Sequence, residues 1–232
     1  MKKRILAGLA CGMIMTGMTG VASATTITFD SLSTANNLTS IYASAEGFQL
    51  ETFNDYGLGT VLDPFTSTLG WEWTGDGSIV NGSSPTFAAP FALSEADQTN
   101  YLSVPNPLTS SSITANLGTE TYHYLGLWWG SVDAYNTITF YNDGVEGNSY
   151  TGEQISILAN GNRTSPLTNM YVNFMNLDFD SFVLTSTSLA FEVDNIAVAT
   201  APIPEPATML LLGTGLAGLI GASRRRKVAK KG

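Results

Sequence analysis

The sequence predicts an all-β fold, an antiparallel β-sandwich of the jelly-roll kind, and three observations carry that expectation. The stretch of about 180 residues from Thr25 onward is rich in Thr, Ser, Asn, Gly, Phe, Tyr and Trp, residue types that favour strands and turns. No window longer than a few residues shows the 3.6-residue period of an amphipathic helix. Short strand-like runs recur instead, separated by turn signals, and many short strands at such spacing argue for two packed sheets. A stretch of this length suits one domain with a sizeable core.

Taken in order, the expected strands are Thr25–Phe29, Gly47–Phe53, Leu69–Thr74, Tyr101–Val104, Ser112–Leu117, Tyr122–Trp129, Asn136–Asn142, Gln154–Leu158, Asn169–Met175, Ser181–Thr185 and Leu189–Val198. Turn chemistry closes several of them. Asn54-Asp55-Tyr56-Gly57 ends the second, Asp76-Gly77 follows the third, Asn142-Asp143-Gly144 ends the seventh and Asn160-Gly161 follows the eighth, while Asn81-Gly82 marks a further turn,. In Trp71-Glu72-Trp73 the two rings share one face and Glu72 takes the other, because side chains alternate along a strand,. Thr26-Ile27-Thr28-Phe29 echoes Thr137-Ile138-Thr139-Phe140, but two copies so far apart set no repeat period, which argues against a solenoid.

Targeting segments flank this domain. Lys2-Lys3-Arg4 precedes the apolar run Ile5–Met18, and Ala22-Ser23-Ala24 supplies the small-x-small pattern that a signal peptidase needs,. Residues 1–24 therefore read as a signal peptide, residues 25–199 as the sandwich domain, and residues 200–232 as a linker plus tail. In the tail, Pro204-Glu205-Pro206 is followed by the apolar run 207–222, expected as a transmembrane helix, and by a basic stretch over 224–231 that opens with Arg224, Arg225, Arg226 and Lys227. Each proline ring fixes its own φ and pushes the preceding residue out of the α region, so Glu205 is presented in extended chain. The apolar run is at the short end of what spans a bilayer, and the basic cluster behind it favours the cytoplasmic side. A plain anchor would have no need of the Pro-Glu-Pro.

This tripartite tail resembles the PEP-CTERM sorting signal of exosortase-processed exported proteins of Gram-negative bacteria, with Pro204, Glu205 and Pro206 as the motif and Arg224–Lys227 as the basic stop. The resemblance implies an inner-membrane-anchored precursor. An exosortase-type transpeptidase cuts it near the motif and releases the upstream domain to the cell surface or extracellular matrix. Signal peptidase and that transpeptidase are then the processing partners, the inner membrane the temporary one, and matrix exopolysaccharide the expected surrounding.

Removing both flanks changes the charge. The whole chain carries −9, but residues 25–204 hold eighteen Asp and Glu against the single Arg163, a net charge of −17. Such a surface repels nucleic acid and anionic lipid, and it suits Ca²⁺, a hard cation that takes carboxylate oxygens. Cys11 lies in the removed segment, so the mature chain has no thiol for disulfides or metal binding,.

The densest chemistry lies in Tyr124–Asn136. Trp128 and Trp129 are adjacent on a strand and cannot both enter one core,. The outward ring, with Asp133, Tyr135 and Asn136 just after it, forms a candidate glycan-binding set; the bland alternative is that both rings are structural, one of them beneath a covering loop. By analogy with carbohydrate-binding jelly rolls, Asp30 and Asp194 on the terminal strands form a candidate site for a structural Ca²⁺, and no cofactor is required. No catalytic residue is assigned. His123 is the sole histidine of the chain, and no serine sits in a nucleophile elbow,. The expected function is that of a non-catalytic surface or matrix protein, with a carbohydrate-binding module and a secreted hydrolase as the alternatives.

Overall fold

The structure is a computed structural model that describes residues 25–30, 40–92 and 95–203. The expected signal peptide, the Pro-Glu-Pro motif, the membrane segment 207–222 and the basic stretch 224–231 lie outside the described residues. Among those described, no helix is long and apolar enough to cross a membrane.

In chain order the strands are β1 (Thr26–Asp30), β2 (Gln49–Glu51), β3 (Phe65–Thr66), β4 (Glu72–Gly75), β5 (Ser78–Val80), β6 (Phe91–Ala92), β7 (Glu95–Ala96), β8 (Tyr101–Val104), β9 (Ser111–Asn116), β10 (Tyr122–Gly130), β11 (Asn136–Asn142) and β12 (Val145–Thr151). After one helical turn, α1 (Gly152–Ile155), come β13 (Met170–Phe179), β14 (Ser181–Ser186) and β15 (Phe191–Ala199). All strand pairs are antiparallel. One sheet has the order β1-β13-β10-β15-β8-β5, with β2 also pairing β15; the second has the order β12-β11-β14-β9-β4-β3. Their inner faces share a single core, from Leu125, Leu127, Trp129, Val172, Phe174 and Val193 on the first sheet to Trp73, Ile113, Ile138, Phe140, Phe182 and Leu184 on the second. The expectation of an antiparallel two-sheet domain therefore holds.

One expected strand needs correction, and an unexpected one stands beside it. Gln154–Leu158 is not a strand: Thr151 and Gln154 form a capping box that turns the chain into α1, and a backbone caught by its own cap does not extend. The strand here is instead Val145–Thr151, most of whose side chains are exposed. Apart from Tyr150, which packs on Phe140 and Phe174, it has no apolar alternation, and its pairing with β11 follows from the Asn142–Val145 hairpin,.

Local bulges re-aim the first sheet. Asn176 and Asn195 have φ of 60° and 50°, in the left-handed region that Asn tolerates best after Gly. Each marks a change of side-chain parity. On β15, Phe191 and Val193 enter the core before Asn195 and Ile196 and Val198 after it. Glu192, Asp194, Ala197 and Ala199 consequently face outward, onto the sheet's other surface.

The register also fixes the two ends of the domain. Thr26 pairs Met175, Met175 pairs Tyr124, and Tyr124 pairs Ala199. The first described strand thus begins, and the last one ends, in a single cross-strand row at one pole of the sandwich.

Candidate functional site

The outer surface of the first sheet is where the polar chemistry collects. A second cross-strand row runs Asp30, Tyr171, Trp128, Asp194 over β1, β13, β10 and β15. Asp30 and Asp194 therefore lie on the same surface but three strand spacings apart, roughly 14 Å, too far for one cation to bridge. Each has other company. Asp30 is half-buried near Asn173 and the backbone of Ile41, and burial raises its carboxyl above the usual range against those two hydrogen bonds. Among the described residues no group of three or more His, Cys, Asp or Glu is placed to hold a metal ion.

Asp194 is fully buried against Asp97, also fully buried, from the segment that covers this end of the sheet. Desolvation, and next the charge of Asp97, hold its carboxyl well above the carboxylate range,. Thr99 donates to Asp97 Oδ1 from its backbone N–H at 2.8 Å and from its hydroxyl at 2.5 Å, and the Asn195 N–H donates to Asp194 Oδ1 at 2.7 Å. Asp97 Oδ2 has no hydrogen-bond donor. Two residues back along β15, buried Glu192 accepts from the Ala88 N–H at 2.8 Å and from the Ser131 hydroxyl at 2.6 Å. Burial pushes its carboxyl up to about 7 despite these donors.

The covering segment comprises residues 83–92 and 95–99. Ala92 packs on Trp128 and Tyr171, and Ala89, Phe87 and Ala96 pack around Tyr101. Pro90 lies so close to Gly130 that a Cβ there would sit about 3 Å from its ring. Phe91 N–H donates to Asn169 Oδ1, and Arg163 Nη1 donates to the Ser84 carbonyl.

These contacts decide where the residues of the expected glycan-binding set lie. Trp129 is inside the sandwich, stacked on Phe191. Trp128 does point to the opposite face, as adjacency required, yet it is fully buried under Ala92. Asn136 is buried too, its side chain donating to the Ala190 carbonyl and accepting from the Ser186 hydroxyl. Asp133 and Tyr135 do meet, the phenol 2.6 Å from Asp133 Oδ2, at the half-buried mouth of the 131–135 loop. The structure thus joins the side chains of two of the five residues and buries those of the other three. His123 places Nδ1 2.9 Å from the Leu177 carbonyl and 2.8 Å from Asp178, at the opposite pole. Ser131, Asp133 and His123 form no catalytic constellation.

Sequence reasoning missed Asp97 and Glu192. The signal for Glu192 was present in Phe191-Glu192-Val193-Asp194, where acids alternate with core residues. Nothing in the sequence said that a cover would bury them. The one hint was the long, proline- and alanine-rich interval between Asn81 and Tyr101, a length at which connections commonly serve as covers or binding loops.

The tail leaves the domain from the row of Thr26 and Ala199. Thr200 and Ala201 both donate to the Glu46 carbonyl, at 3.3 and 3.2 Å. Ile203, 4% exposed, is buried against Tyr124, Met175, Ala197 and Ala199, with Tyr42, Ala45, Phe48 and Leu50 around them. Thr200, Ala201 and Ile203 are therefore held against the domain, Pro202 between them is exposed, and the Pro-Glu-Pro begins at the next position.

Fold and exit together define a class: an antiparallel β-sandwich whose last strand hands directly to a C-terminal sorting segment. Residues 202–227 match the PEP-CTERM protein-sorting motif. No curated protein matches it. Among solved structures, one titled "CpGH89CBM32-6 produced by Clostridium perfringens" is 15% identical, with a TM-score of 0.32, over 54% of this chain and 94% of that one. That similarity is too slight to assign a fold or a ligand.

Proposed function

We propose that this protein is a non-catalytic surface or matrix component, exported as an inner-membrane-anchored precursor and cut free by an exosortase-type transpeptidase. The observation that carries this reading is the sorting motif over residues 202–227. The packing of Thr200, Ala201 and Ile203 supports it: cleavage beyond Ile203 would leave every contact of the described sandwich in place. Both described chain ends lie at one pole, which turns the opposite pole, with the loops around Arg163 and Ser188, away from the membrane while the tether lasts. Eighteen carboxylates against one Arg163 keep the released body soluble and repel it from the anionic leaflet it leaves.

Glu205→Ala in the full chain tests this. The variant is expected to fold and to accumulate at full length in the cell envelope, while the wild type appears outside without residues 224–232, as read by intact-mass spectrometry. Release of the variant at the wild-type rate and mass would overturn the assignment.

A further inference from the structure

Among the described residues, the attachments of the covering segment and its root include five that reach the first sheet or the loops beside it. They are the Tyr101 hydroxyl on the Gly82 carbonyl at 2.6 Å, Arg163 on the Ser84 carbonyl at 3.1 Å, Ala88 N–H on Glu192, Phe91 N–H on Asn169, and the Asp97–Asp194 contact. Three are ordinary hydrogen bonds between neutral groups or to a cation. The remaining two, at Glu192 and at the aspartate pair, depend on carboxyl groups fully removed from water.

The aspartate pair is the more demanding. Thr99 occupies Asp97 Oδ1 and Asn195 occupies Asp194 Oδ1, which leaves Asp97 Oδ2 with no donor and Asp194 Oδ2 with only the Thr99 hydroxyl at 3.4 Å. Two ionised carboxylates cannot stay in contact, buried, without a counter-charge. The single cation of the domain is committed elsewhere, to Ser84. One proton resolves the conflict: carried on Asp194 and donated to Asp97, it supplies the orphan oxygen with its partner and halves the buried charge. A divalent cation is the poorer fit, because it would ask for six or more oxygens and the two carboxyl groups together offer four, two of them already taken by donors.

We propose that residues 83–92 and 95–99 form a latch closed by a proton shared between Asp97 and Asp194, and that loss of this proton lifts the latch and bares the aromatic face of Trp128, Tyr101 and Tyr171. The proton leaves to bulk water, and two like charges then face each other across the cover and the sheet. The surrounding ionisable groups work in the same direction. Glu192 on β15 ionises with the pair, and Asp30 on β1 and Asp133 after β10 add negative charge nearby. The tyrosines Tyr101, Tyr124, Tyr135 and Tyr171 stay neutral, raised by burial and by these carboxylates. Only Arg163 opposes opening. The bared surface would be a row of rings flanked by carboxylates, suited to neutral, hydroxyl-rich or cationic ligands and hostile to anions. The latch does not depend on the sorting assignment.

Hydrogen exchange read by mass spectrometry on the full chain in detergent micelles tests it. Once corrected for intrinsic chemistry, protection of amides 87–92 and 95–97 is expected to fall at least tenfold between pH 5.5 and 8.5, while β13 and β14 stay protected. Asp194→Asn and Asp97→Asn each keep the contact with an amide donor and cannot place two charges there. In either variant the segment should remain protected at both pH values, and Asp133→Asn should behave as wild type. Protection that does not change with pH in the wild type would overturn the proposal. So would reclosure at pH 8.5 on adding millimolar Ca²⁺, which would hand the carboxyl pair to a metal ion.

Discussion

Trp129 stacks on Phe191 with ring centroids 4.3 Å apart and planes 24° from parallel, and their strands β10 and β15 are neighbours in the sheet. The pair buries two of the larger aromatic surfaces in the core, one residue away from each of the outward-facing groups Trp128 and Glu192. Trp129→Ala should cost about 3–5 kcal/mol, as for other large-to-small changes in a closed core, whereas Trp129→Phe keeps the stack and should cost less. Urea unfolding at pH 6 is the check. A loss under 1 kcal/mol for the alanine variant would mean that the ring does not support the core.

The acids behind the stack make stability depend on pH. Glu192 is raised from the ordinary glutamate value to about 7 in the folded state, so between about pH 4.5 and 7 the unfolded chain gives up a proton that the folded one keeps. Stability therefore falls as pH rises through this window and levels off above it, by an amount on the order of a few kcal/mol. Asp194, raised in the same sense by burial and Asp97, extends the fall. Glu192→Gln should flatten the pH 5–7 part of the unfolding curve. A wild-type stability that increases over this range would contradict the burial of these groups.

Much of this was legible in the sequence, and the part that was not has a common cause. Strands with one face in the core announce themselves: Ile113, Ala115 and Leu117, or Ile138 and Phe140, alternate with small polar residues in the expected place. The opposite orientation of Trp128 and Trp129 also follows from adjacency alone. Burial of an outer face does not, since it comes from segments distant in sequence. Ala92 covers Trp128 and Asp97 meets Asp194 only because the chain from Asn81 to Tyr101 folds back over the sheet. The β12 edge escaped notice for the complementary reason, since Tyr150 alone of its residues packs on the core and one apolar residue makes no pattern. The tail was readable because its three parts are consecutive.

Gly75 closes β4 at φ 124°, a conformation that L side chains rarely adopt, and an added Cβ would drive into the Ser112 carbonyl and lie 2.9 Å from the Ile113 Cα. Both obstacles are backbone of the paired strand β9, so neither can swing aside. Gly75→Ala should therefore cost more than Gly144→Ala at the β11–β12 hairpin, where φ is 72° and the added methyl meets nothing within 4 Å. The hairpin change carries only the left-handed penalty of about 1–2 kcal/mol. Equal melting temperatures for the two variants would show that β4 and β9 can separate freely.

The boundary between folded body and tail can be found by two substitutions that stand two residues apart. Ile203 fills a socket made by Tyr124, Met175, Ala197 and Ala199 with Tyr42 and Phe48, and the Glu46 carbonyl ties down the residues before it. Ile203→Ala should then lower domain stability by roughly 2 kcal/mol and raise exchange at residues 199–203. Glu205→Ala, beyond the described residues, should leave unfolding within about 0.5 kcal/mol of wild type while blocking release. Stability and sorting thus separate across Pro204. If Ile203→Ala unfolded at the wild-type urea concentration, the packed exit would have no energetic content, and Thr200–Ile203 would serve as a plain spacer.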